Sequence, residues 1–184
     1  MRTMPRDEAF RHEQRRVAVG MALAVIITAV ALSVAAFWGA EKTIVVPVAE
    51  RLQAALRADV FVLGWLAATI ANVARLRFAS IEDIAGSSVG SGSKSVRDAV
   101  AILQNTAEQV LLAVLTHLAF AAVISHPAAM LTTLVTMFCV GRTLFWVGYK
   151  RGAGGRALGF ALTFYPTIVA LGISAVTLLL GKSG

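Results

Sequence analysis

With 184 residues, 58% of them hydrophobic and only 15% charged, the chain is more apolar than a soluble domain, which averages roughly 45–50% apolar and about 25% charged. Apolar runs of roughly 20 residues exclude a barrel of short alternating strands and predict an all-α membrane protein. One cysteine excludes an internal disulfide and a multi-cysteine metal centre, and the net charge of +7 must be placed on a topology before it says anything about partners.

The first 16 residues are polar and rich in arginine: Arg2, Arg6, Arg11, Arg15 and Arg16 outnumber Asp7, Glu8 and Glu13. The apolar run Val17–Trp38 is too long for a signal-peptide core and predicts a first spanning helix. Residues 40–57 are mixed, and Val45, Val48, Leu52, Ala55 and Leu56 fit one face of an interfacial helix after Pro47. A second span is expected over Val60–Phe78, followed by a Ser/Gly-rich loop, SIEDIAGSSVGSGSKSVRD, expected to be mobile and outside the membrane. That loop lacks the GK[ST] ending and the preceding strand of a phosphate-binding loop. A third span is expected from Asp98 to Ser125, a tight His126-Pro127 connection next, then a fourth over Ala128–Tyr149. KRGAGGR turns the chain into a fifth span, Ala157–Leu180, in which Pro166 marks a kink.

Five spans put the termini on opposite sides. With the N-terminus in the cytoplasm, nearly all Lys and Arg outside the spans fall on the cytoplasmic side, and Lys42, Arg51, Arg57 and Lys182 fall on the other. Orientation thus absorbs most of the net charge, and no nucleic-acid partner is needed. The bacterial inner membrane is the expected location.

Polar groups at membrane depth carry the functional reading. Asn105 and Glu108 are three apart on one helix, with Gln104 beside them, and Arg142, Phe145 and Tyr149 form a stripe on the next. Arg75 and Arg77 close the second span at the same level, and Arg156 opens the fifth. Such a cluster suits a small polar anion, which arginine holds by paired hydrogen bonds. It equally suits a structural role, with Glu108 and Arg142 as a buried interhelical pair and Asn105 as helix glue. Tyr149 could be an interfacial anchor, and Arg75 and Arg77 snorkelling end residues. His117 lies about 180° round the helix from Glu108 and about 13 Å deeper, and is expected to bond another helix. Cys139 is expected to be a packing residue.

LQNTAEQVLLAVL and GRTLFWVGYKRGAGGRALGFALTFYPT resemble the MAPEG family, the membrane-associated proteins of eicosanoid and glutathione metabolism, over about residues 60–181. The matching positions are Asn105-x-x-Glu108, Arg142-x-x-Phe145-x-x-Gly148-Tyr149, Arg156 seven residues later, and Arg75 at the end of the preceding span. Ala101 stands where family enzymes often carry an arginine, and Gln109 and Phe145 where some carry a tyrosine or another aromatic hydroxyl. The resemblance implies a four-helix membrane core with one additional N-terminal transmembrane helix. It divides the chain into 1–57 and a MAPEG-like domain, 58–184. It implies a homotrimer that holds glutathione through Arg75, Asn105, Glu108, Arg142 and Tyr149, with Arg156 as the catalytic residue and no metal. The implied activity is glutathione transfer or peroxide reduction on lipophilic substrates drawn from membrane lipid. The other reading is a non-enzymatic binding or scaffold protein of the same fold whose polar cluster is structural. A small transporter is a third, disfavoured by the absence of an internal repeat.

Overall fold

In a computed structural model the described residues, 6–40, 46–86 and 92–181, are helical throughout their long segments. The α-helices are α1 (Arg6–Ala40), α2 (Val48–Phe78), α3 (Lys94–Val123), α4 (Ala128–Gly148) and α5 (Gly152–Leu179), with a 3-10 turn, Tyr149–Arg151, between the last two. Lys42, Lys182 and part of the Ser/Gly-rich loop lie outside the described residues.

The expected count of spans requires correction. Among the described residues, four continuous segments are long and apolar enough to cross a membrane: Asp7–Gly39, Val48–Phe78, Lys94–Val123 and Ala128–Leu179. They make this an integral membrane protein, all-α, with four such segments in place of a four-helix core plus an added N-terminal transmembrane helix. Two local features explain the difference. The stretch after Pro47 does not form a separate interfacial helix but runs unbroken into α2. α4, the 3-10 turn and α5 follow one another as the single segment Ala128–Leu179, and the chain reverses within it at Gly152. The first segment is not an appendage either, since α1 packs on both α4 and α5.

The fourth segment is folded back on itself, and glycines make the close approach possible. A Cβ at Gly148 would stand 2.0 Å from the Gly155 carbonyl oxygen, and one at Gly159 would stand 2.2 Å from the Phe145 nitrogen. Backbones that close give van der Waals contact that lipid cannot match. The turn itself needs Gly152, whose φ of +83° an L-residue rarely adopts. We call the end of the bundle that holds this turn the turn end. There α2 finishes, α3 and α5 begin, and the first turns of α1 lie against α5.

Apolar contacts fill the bundle in layers. Leu32, Phe120, Leu131 and Leu134 pack at the end opposite the turn. Val62, Val110, Val135 and Phe138 follow, with Cys139 as a partly buried packing neighbour. Ala24, Met137, Ala161 and Leu162 form a third set around α5. Pro166 is buried inside α5, which remains helical on both sides of it.

Outside the spans, the connection after α2 is tied at its base. The buried Asp83 accepts the Ser93 amide at 3.0 Å. Ser93 caps α3 by accepting the Val96 amide at 3.4 Å, and Arg97 donates to the Gly92 carbonyl.

Candidate functional site

The site is built outward from Arg142. Its side chain is 1% exposed, in the middle of an apolar bundle. Nη1 donates to Asn105 Oδ1 on α3 at 2.9 Å, and Nη2 donates to Thr163 Oγ1 on α5 at 2.8 Å. The guanidinium lies 4.5 Å from the Phe145 ring centroid. One cation thereby joins α3, α4 and α5 and fixes the amide of Asn105 at the edge of a cavity.

That cavity, about 430 Å³, lies between α1, α3, α4 and α5. Asn105, Tyr149 and Arg156 supply its polar wall, and Val17, Met21, Phe145 and Phe160 its principal apolar surface. The Arg156 guanidinium sits 4.6 Å from the Tyr149 ring centroid, and the Tyr149 ring meets the edge of Phe145 at 5.7 Å. Stacking on an aromatic face holds an arginine in place without using up its N–H donors.

A second cavity of about 710 Å³ opens on the other side of Tyr149. Arg75, Lys94, Asp98, Asn72 and Lys150 line it, so α2, α3 and the 3-10 turn each contribute charged groups. Arg75 is oriented within α2 by donating to Asn72 Oδ1 at 3.0 Å. Tyr149 borders both spaces. Each volume falls in the range of roughly 300–1,000 Å³ usual for small-molecule sites.

Of the residues singled out by sequence, Arg75 and Tyr149 border the larger cavity, and Asn105, Tyr149 and Arg156 the smaller. Arg142 borders neither and lies behind Asn105 as a strut. Glu108 is on an exposed face of α3, where Gln104 Nε2 donates to its Oε1 at 3.3 Å. The suggested Glu108–Arg142 pair is replaced by the contacts of Arg142 with Asn105 and Thr163.

Sequence reasoning passed over Thr163, Lys94 and Asp98. A threonine in an apolar helix ordinarily bonds its own backbone, as Thr163 also does through the Phe160 carbonyl at 2.8 Å, so nothing marks it as a second partner. Lys94 and Asp98 carried a weak signal, because α3 is longer than a bilayer requires.

His117 is apart from all of this, as expected, and its interhelical partner is Asp59 on α2. Nδ1 and Oδ1 are 2.6 Å apart, and both side chains are 1% exposed. Among the described residues no group of three or more His, Cys, Asp or Glu side chains gathers as a metal site would require.

No curated protein and no solved structure matches the chain in comparisons of sequence and fold. A family model does: that of the MAPEG family, over residues 17–176. The match begins in α1, well before the expected start near residue 60, so the first helix is no addition outside the family region. Together with four membrane-length segments among the described residues, a match that runs from α1 almost to the end of α5 establishes that the chain belongs to the MAPEG family.

Proposed function

We propose that this protein binds glutathione at the turn end and uses it on lipophilic substrates, as a transferase or a peroxide reductase. The observation that carries the reading is the pair of cavities meeting at Tyr149, one rich in charged groups and the other apolar with Arg156 at its polar wall. The residues present fit a tripeptide of that chemistry. Arg75 and Lys94 suit its carboxylates, and Asp98 suits its ammonium group. Tyr149 borders both spaces, and Asn105 borders the smaller.

Bound glutathione would supply a thiol nucleophile. A thiol of pKa about 8.5 is only a few per cent thiolate at neutral pH. Arg156, a fixed cation in a partly apolar cavity, favours the thiolate by charge and by hydrogen bonding. Tyr149 keeps the guanidinium in place. Arg142 acts indirectly, by holding Asn105.

The same reading includes a homotrimer in the bacterial inner membrane with the turn end in the cytoplasm. Arg16, Arg75, Arg77, Arg97 and Lys150 at the turn end support that orientation. Glu108, exposed at membrane depth, supports a neighbouring subunit on that face of α3, where the carboxylate could meet a ligand shared between copies. One observation favours the non-enzymatic reading for part of the cluster: Arg142 joins Asn105 and Thr163 in a three-helix clamp formed within the chain itself, although its buried Nε has no partner among the described residues.

Calorimetry of glutathione binding to detergent-purified protein separates the two. The expected result is micromolar to millimolar affinity, about 4–8 kcal/mol. Arg75→Gln should weaken it tenfold or more, and Arg156→Ala should leave binding but lower the thiolate absorbance of the complex. Arg142→Met should act on stability first. Absence of any binding heat up to about 10 mM, with Arg75→Gln and Arg156→Ala indistinguishable from the parent, rules out the glutathione reading and leaves the structural one.

A further inference from the structure

The smaller cavity has a wall that the proposed chemistry does not use, and it comes from α1. Glu13, Val17, Gly20 and Ala24 follow one another at three- to four-residue spacing, and Met21, four after Val17 and three before Ala24, borders the same face of that helix. Both ends of the stripe are fastened to α5. At the first, Glu13 Oε1 accepts the Gly154 amide at 2.7 Å, and its other oxygen pairs with Arg16 at 3.1 Å. This carboxylate occupies the positive end of the α5 dipole. At the second, a Cβ on Gly20 would lie 3.1 Å from the Leu158 nitrogen, so the helices touch there, and Ala24 is fully buried. Between the two fastenings Val17 and Met21 line the cavity that contains Arg156.

An apolar ligand whose reactive end lies beside Arg156 must therefore run along α1. Val17 is half-buried and Met21 is 42% exposed, so this wall also borders the outer surface of the bundle at membrane depth. We propose that Val17 and Met21 determine which lipophilic co-substrate is accepted: an apolar chain or ring carrying an electrophilic carbon or a hydroperoxide, entering from the bilayer along α1. The proposal rests on the reading of this cavity as the reaction chamber.

The test compares Val17→Phe and Met21→Phe, which fill the wall, with Met21→Ala, which widens it. Glutathione-dependent turnover is measured with a small aryl halide and with a long-chain fatty-acid hydroperoxide. One methylene of misfit in an apolar pocket changes discrimination about 10–200-fold. The long-chain to small-substrate ratio of kcat/KM should accordingly fall tenfold or more in the filled variants and hold or rise in Met21→Ala, with glutathione affinity unchanged. A ratio constant within twofold in folded variants overturns the proposal. A second readout does not need glutathione. A diazirine-bearing stearic acid should label Phe160 or Phe145 in the parent protein and lose that labelling in Val17→Phe. Such labelling without glutathione binding would retain the wall and remove the glutathione reading. Labelling confined to outward residues such as Val19 and Val25, or persisting at Phe160 in Val17→Phe, overturns the proposal whatever glutathione does.

Discussion

The buried pair Asp59–His117 offers a test in which the size of the effect decides its nature. The two side chains join α2 to α3, 2.6 Å apart and 1% exposed, and among the described residues neither Asp59 Oδ2 nor His117 Nε2 has a partner. With His117 protonated the contact is an ion pair, and with His117 neutral it is an ordinary hydrogen bond. Removing one member of a buried ion pair leaves an uncompensated charge and costs about 3–5 kcal/mol. A neutral interhelical hydrogen bond in a membrane protein is worth only about 0.6 kcal/mol on average and about 1.7 at most. An ion pair therefore requires Asp59→Val alone, and His117→Leu alone, each to cost about 3 kcal/mol or more. Replacing both together removes charge and counter-charge at once. That change should be close to neutral, because apolar side chains of similar volume substitute well for buried ion pairs.

The assay is reversible unfolding in mixed detergent micelles, followed by circular dichroism for the parent, both single variants and the double variant. The coupling energy from that cycle should exceed about 2 kcal/mol, within the range for residues in one network. Single-variant costs below about 1.7 kcal/mol would show that the pair is neutral. A double variant as costly as the sum of the singles would refute the coupling itself. Asp59→Asn refines the result, since it keeps a side chain able to reach His117 while removing the charge.

Two further outcomes follow from the geometry. Gly148→Ala should destabilise the α4–α5 hairpin by about 1–3 kcal/mol or more, because overpacking costs that much even where side chains can yield, and here the new Cβ would meet the Gly155 carbonyl at 2.0 Å; unfolding within about 0.5 kcal/mol of the parent would show that the hairpin has slack. Asp83 should make the α2–α3 connection acid-sensitive: hydrogen bonds from Ser80, then from Ser93, lower its pKa from the ordinary value of 3.8. A depressed carboxylate contributes stability that is present above its unfolded value and lost as pH falls through the folded one. Protection of the loop from an acid-active protease should accordingly hold above pH 3.8 and decline below it, and Asp83→Asn should be unprotected at every pH; equal cleavage of both proteins above that pH would remove Asp83 as the tie.

The sequence exposed depth and face more readily than partners. Apolar run lengths located the helical segments, and helical spacing put Asn105 and Arg142 on stripes that meet at 2.9 Å. Spacing could not show that Thr163 would be the second acceptor, since a threonine satisfied by its own helix looks identical in sequence. Nor could it pair Asp59 with His117, which are 58 positions apart. The segment count failed at KRGAGGR for a related reason. A basic, glycine-rich heptad reads as a turn between two spans; the chain does reverse there, at the positive φ of Gly152, but through a 3-10 turn so short that α4 and α5 form one contiguous segment.

Glu108 shows the limit of face arguments most clearly. Three residues along an α-helix amount to about 300°, so Asn105 and Glu108 differ by about 60° in direction. On a helix with neighbours on one side, that offset separates a residue turned into the bundle from one on its open surface. Asn105 turns in and receives Arg142, while Glu108 stays exposed with a single hydrogen bond from Gln104. An ionised carboxylate at a helix centre costs roughly 2.5–3.5 kcal/mol on insertion scales, and one amide offsets little of that. A face of α3 carrying Gln104 and Glu108 is therefore poorly matched to lipid. That mismatch, more than the contacts within one chain, is the physical reason for placing a neighbouring subunit there in the proposed assembly. Glu108→Gln should then shift the protein towards monomers in detergent while leaving the Arg142 clamp, and the fold it holds, intact.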